Sequence, residues 1–151
     1  MQDASLYAAI KDGLARSVPF VETVGIEITD VSPGAATALL CQREPISNHI
    51  GSVHAGALFT LGETASGAAM SGAFAANLLS IRPVAAGASI AYRKVATGVI
   101  AARATVNPPV DDLVSALEAD GKVTFDVSVV MTDENSVTVA EMTVSWHVRK
   151  R

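Results

Sequence analysis

Asn48-His49-Ile50-Gly51-Ser52-Val53-His54-Ala55-Gly56-Ala57-Leu58-Phe59-Thr60-Leu61-Gly62-Glu63-Thr64-Ala65 decides how the rest of the chain is read. Between His54 and Arg82 the only charged residue is Glu63, and its neighbours are nearly all small or apolar. The run from Gly56 to about Ala76 lacks proline and is rich in Ala, Leu and Met, which predicts a helix roughly 30 Å long at about 1.5 Å rise per residue. Leu58, Leu61, Ala65, Ala68 and Gly72 share one face, but the opposite side, with Ala57, Phe59, Ala69 and Ala73, is scarcely more polar. A helix that is apolar all round is a buried one. Its glycines (56, 62, 67 and 72) each cost up to about 1 kcal/mol there, a loss that is reasonable if they admit a sheet or helix at close range.

Outward from this helix the pattern is that of strands. Val24, Ile26 and Ile28 alternate, Ser32-Pro33-Gly34 turns, and Ala36, Ala38 and Leu40 alternate again. After a break at Arg82-Pro83 the alternation resumes over Val84–Tyr92, then over Ile100–Val106, Val123–Met131 and Met142–Val148. Leu6, Ile10 and Leu14 predict a short first helix capped by Asp3 and ended before Pro19, a packing lid without chemistry. Leu113, Val114 and Leu117 predict another over Asp111–Asp120, closed by Gly121. One buried helix and about six strands able to curl round it make an α+β arrangement, and 151 residues without repeat or linker make residues 1–151 one domain.

Half the residues are hydrophobic and 17% are charged, so the chain is expected to bury more surface than a monomer needs, as a homo-oligomer does. A net charge of -4 with scattered Lys and Arg argues against nucleic-acid binding. The central run is mostly Ala and Gly with interspersed Thr, Ser and Glu, a soluble core helix and no membrane span. Cys41 is alone, so it forms no internal disulfide and is read as packing; no basic-then-apolar leader is seen, and the cytoplasm is the expected address.

Asn48-x-x-Gly51-x-x-His54-x-Gly56, with Glu63 nine residues after the His, resembles the N-x-x-G-x-x-H-G-G loop and helix carboxylate of the hotdog-fold thioesterases, in particular the PaaI-like group and the related DUF4442 proteins. The likeness extends along nearly the whole chain in element order and length. It implies a curved antiparallel sheet wrapped around the central helix, a homodimer or homotetramer with active sites at the dimer interface, and hydrolysis of a small or medium acyl-CoA with no metal and no organic cofactor. Carried over by position, Glu63 matches the catalytic carboxylate, the Ala55 N–H the oxyanion donor, Asn48 the polar side chain near water or thioester, and Gly56 the helix-entry turn. Two departures stand out. Ala55 replaces the first Gly of H-G-G, and Gly67 stands where some relatives carry a Thr one turn after the carboxylate, leaving Thr64 or Ser66 to hold the water.

The chemistry agrees with the likeness. A helix N-terminus offers unpaired N–H groups and positive potential, so Ala55 and Gly56 suit a developing oxyanion. Glu63 is a general base for water or a nucleophile. His54 is read as an orienter of the loop; Tyr92, Arg93 and Lys94 are candidates for the nucleotide end of CoA, and Thr64 and Gly67 for the acyl side. The alternatives are a hydroxyacyl thioester dehydratase pairing His49 with Glu63, and a non-catalytic acyl-CoA-binding protein. In bland readings Glu63 bonds only to Asn48 or a backbone group across the dimer, Asn48 is a turn residue, and Trp146, Met142 and Phe125 are core.

Overall fold

The computed structural model describes residues 4–151; Asp3, the expected cap of the first helix, lies outside them. The chain opens with α1 (Ala4–Ser17) and a second helix α2 (Pro19–Val24) that was not expected. Pro19 ends α1 but also starts α2, since its fixed φ and missing N–H suit a first helical turn. Val24 is therefore the buried end of α2 and no strand residue. Gly25, at φ 91°, closes that helix, and the strand begins at Ile26.

Next come β1 (Ile26–Ser32) and β2 (Ala35–Cys41), then a loop with one 3₁₀ turn (Glu44–Ile46) into the central helix α3 (Ala55–Ala73). α3 starts one residue earlier and ends three residues earlier than the composition suggests. At Phe74 the backbone leaves the helix, and Ala75–Ser80 continues as a 3₁₀ segment. β3 (Ile81–Tyr92), β4 (Val99–Val106), α4 (Val110–Asp120), β5 (Lys122–Thr132) and β6 (Thr138–Lys150) complete the chain.

The six strands form one antiparallel sheet in the order β1-β2-β4-β5-β6-β3, and α3 packs against β1, β2, β4, β5 and β6. This is the hotdog arrangement, α+β, with the core between helix and sheet. Inward-facing Ala38, Leu40, Ile100, Ala102, Val127, Val129, Val144 and Val148 are buried, as their alternation predicted, together with Phe125, Met142 and Trp146. Two helix glycines admit the sheet: a Cβ on Gly72 would collide with the Ser32 carbonyl oxygen, and one on Gly62 would lie 2.5 Å from Met142 Sδ. Cys41, by contrast, is exposed at the end of β2 rather than packed.

β3 departs most from its expected form. The strand starts at Ile81 and runs through Pro83, with no break at Arg82-Pro83. Proline is tolerated because β3 is an edge strand, paired on one side only with β6. Nor does burial alternate there. Val84 to Ser89 are exposed on both faces, because α3 packs mainly against the other five strands.

Candidate functional site

α3 is entered through a loop tied down by Asn48. Its Oδ1 accepts from the N–H groups of Ile50 (3.1 Å) and Ser52 (3.0 Å), and its Nδ2 donates to Ser52 Oγ (2.7 Å). Here the side chain is a turn-former, as Asn often is. His54 caps the helix. Its Nδ1 accepts from the Gly56 N–H at 2.8 Å, so the ring proton of the neutral form sits on Nε2. This bond consumes one of the two N–H groups expected to face an oxyanion. The Ala55 N–H, the first of the helix, has no partner among the described residues. Ala55 is exposed, and the Tyr92 hydroxyl donates to its carbonyl at 3.0 Å. Asn48, Ala55, Tyr92, Arg93 and Lys94 share a cleft of about 350 Å³ at this end of the helix. Arg93 is held there by a half-exposed ion pair with Glu141 at 3.1 Å.

Glu63 lies in a second cleft, of about 330 Å³. Glu63, Thr64, Gly67 and Ser71 line it from α3, with Leu14, Leu78, Pro83 and Trp146 among the residues opposite. No hydrogen bond or ion pair to a described residue engages the Glu63 carboxylate. Half burial among apolar groups raises the pKa of Glu63 above the ordinary carboxylate value, because the charged form loses hydration.

The next residue, Thr64, is only 8% exposed, and its Oγ1 has no hydrogen-bond partner among the described residues. Ser66, the other candidate for holding water, is spoken for: its Oγ donates to the Glu63 carbonyl at 2.7 Å and accepts from Trp146 Nε1 at 3.0 Å. That bond lays the indole over Gly67, where an added Cβ would stand 3.2 Å from the ring. The glycine at the position of the relatives' Thr thus makes room for Trp146, which is both core and cleft wall. Its place in the cleft had no sequence signal beyond being the only tryptophan. Leu14 likewise makes α1 more than a lid.

The residues singled out from sequence therefore fall into two groups. Asn48, Ala55, Tyr92 and Arg93 meet at the helix N-terminus; Glu63, Thr64 and Gly67 meet two turns further on. His49, exposed on the loop, lines neither cleft. Among the described residues no three His, Cys, Asp or Glu side chains gather as a metal site would require, and no helix is long and apolar enough to cross a membrane.

Residues 7–148 match the family described as domain of unknown function DUF4442. Three solved structures are similar. A Pseudomonas aeruginosa protein of unknown function, described as a probable thioesterase, is 26% identical, with 95% of each chain covered and a TM-score of 0.84. The E. coli PaaI protein of the phenylacetic acid degradation operon is 21% identical over 98% of this chain and 96% of its own, TM-score 0.75. A mutant of a Staphylococcus aureus thioesterase is 18% identical over 87% and 99%, TM-score 0.71. The last two likenesses are of fold. No curated protein matches the chain.

Proposed function

This chain belongs to the DUF4442 family, and from that premise we propose that it is a thioester hydrolase acting on acyl-CoA, one hotdog domain over residues 1–151 working as a homodimer or a pair of dimers in the cytoplasm. The observation that carries the proposal is a carboxylate that has no partner among the described residues and is raised in pKa by burial, lining one cleft with Thr64, whose buried hydroxyl is also unpaired among them. Glu63 acts as general base. It takes a proton from a water that Thr64 Oγ1, buried and unpaired in the resting site, comes to hold only when substrate opens the cleft, as the water oxygen bonds to the thioester carbonyl carbon and an N–H at the mouth of a helix receives the oxyanion. The C–S bond then breaks, and the proton on Glu63 passes to the departing thiolate, leaving free acid and CoA. Burial favours the base role, since it brings the carboxyl nearer to neutral pH.

Distance requires two copies. Ala55 and Glu63 are eight residues apart, about 12 Å along α3, whereas reacting atoms must approach to about 3–3.5 Å. One thioester cannot use both from the same helix. β3 supplies the remedy: its Pro83 end borders the Glu63 cleft, its Tyr92 end borders the Ala55 cleft, and its exposed apolar middle is an unpaired edge. Antiparallel pairing of two copies about Gly87 sets the Pro83 end of one against the Tyr92 end of the other. Each site then combines Glu63 and Thr64 of one protomer with the Ala55 N–H of its partner, and Arg93 and Lys94 stand near the entrance, where CoA phosphates would lie.

The dehydratase alternative is weakened because His49 is exposed on the entry loop and lines neither cleft, so pairing two copies does not bring it to Glu63 as it brings Ala55. Non-catalytic binding is separated from hydrolysis by measuring thiol release across an acyl-CoA panel. The expected outcome is turnover of at least one thioester, reduced roughly 10²–10⁴-fold in Glu63→Gln with the oligomer intact. Full activity in that variant ends the assignment.

A further inference from the structure

We infer that the groove between α1 and the 3₁₀ segment Ala75–Ser80 receives the distal part of a straight fatty-acyl chain whose carbonyl sits at Glu63. The inference rests on the hydrolase proposal for where the carbonyl lies, and it names the substrate class as aliphatic thioesters long enough to pass Leu14. The groove, about 680 Å³, is larger than either cleft described above. Leu6, Ile10 and Leu14 line it from α1, with Leu78 and Leu79 opposite; Ser17 and Ser80 are its only polar side chains, and it has no charged one. Leu14 and Leu78 also line the Glu63 cleft, so the two spaces are neighbours with that pair as their common wall.

Gly13 supplies an independent sign. It lies in the interior of α1, where glycine costs about 1 kcal/mol relative to alanine. No positive φ demands it, and a Cβ built on it meets nothing within 4 Å. Neither backbone nor packing explains the residue, yet it lines the groove, and any long side chain there would fill it. Across from it Leu79 is 95% exposed, a large apolar surface left to be covered. A groove bounded by one helix and one six-residue segment offers little of the roughly 800 Å² per partner that a stable protein interface covers. A flexible, uncharged, unbranched ligand running on from the Glu63 cleft suits it better.

The test uses CoA thioethers carrying butyl, octyl and dodecyl chains, which cannot be hydrolysed, titrated against the fluorescence of Trp146, the only tryptophan and a wall of the Glu63 cleft. Each methylene buried is worth roughly fourfold in affinity, so dodecyl should bind at least about tenfold more tightly than octyl even with only half of the added methylenes covered. Gly13→Phe should erase that gain and leave butyl affinity unchanged, whereas Gly13→Ala should raise thermal stability and retain it. Equal binding of octyl and dodecyl by the unmodified protein, or an equal loss for all three ligands in Gly13→Phe, overturns the assignment. The two proposals fail separately. A graded affinity with no thiol released from any acyl-CoA of the panel, dodecanoyl-CoA included, retires the hydrolase and leaves the groove standing; hydrolysis with flat affinity does the reverse.

Discussion

Thr64→Val should make the protein more stable and less active, and the opposed signs are what make it informative. Thr64 Oγ1 is buried with no hydrogen-bond partner, and an unpaired buried hydroxyl costs about 1–3 kcal/mol by mutational measures. Valine keeps the shape, has nearly the same helix propensity, and removes the oxygen. A gain of about 1–2 kcal/mol is expected, which for a chain of this size raises Tm by roughly 2–8 °C. If that hydroxyl holds the attacking water, kcat should fall on the order of 10–100-fold, a share of what correct placement of a reactant contributes, with KM little changed. Thr64→Ser keeps the oxygen and should restore most of the turnover. Calorimetry and thiol-release kinetics on the same preparations read both effects. A destabilised Thr64→Val would show that the hydroxyl is paired in the assembly, and unchanged kcat would show that it holds no catalytic water; either result refutes the reasoning.

Because the Glu63 pKa is raised on folding, the native state keeps this proton at pH values where the unfolded chain has lost it. Stability should therefore decline as pH rises from the ordinary carboxylate value up to the raised one, and Glu63→Gln should flatten that decline in pH-dependent urea melts. Over the same interval kcat should rise with pH as the base ionises, with a midpoint above that of a free carboxylate; a midpoint at the ordinary value would contradict the desolvated site. Ala88→Asp places like charges on the exposed β3 edge beside Gly87. Light scattering should then show monomer and thiol release should vanish, while circular dichroism is preserved; an active monomer would mean that one chain suffices.

Much of this molecule is legible along the chain. α3 announces itself because an apolar run without proline, uninterrupted for five turns, has no other way to satisfy its backbone, and Glu63 stands out as the one charge within it. Five of the six strands show their inward faces by alternation. The failures have local causes. Pro19 carries both a stop and a start signal, so the sequence hides α2 and Val24 reads as the first residue of the strand that follows. Pro83 signals a break only if its strand is central, and the edge position of β3 depends on pairing with β6, which begins 55 residues later.

What the sequence determined by itself is the inventory: a buried helix, a set of strands, an isolated acid and a helix entrance rich in N–H groups, all of them consequences of spacing and composition within a few turns. Which of those groups are free to act was decided only in three dimensions. The Gly56 N–H is spent on His54, Ser66 is spent on Trp146, and Asn48 on its own loop, leaving the Ala55 N–H and Thr64 Oγ1 unpartnered. Hydrogen bonds are claimed by whichever partner the fold brings near, and the partner of Ser66 lies 80 residues away. The separation of the two clefts along one rigid helix belongs to the same class of fact, and it turns a list of residues in one chain into an argument for two.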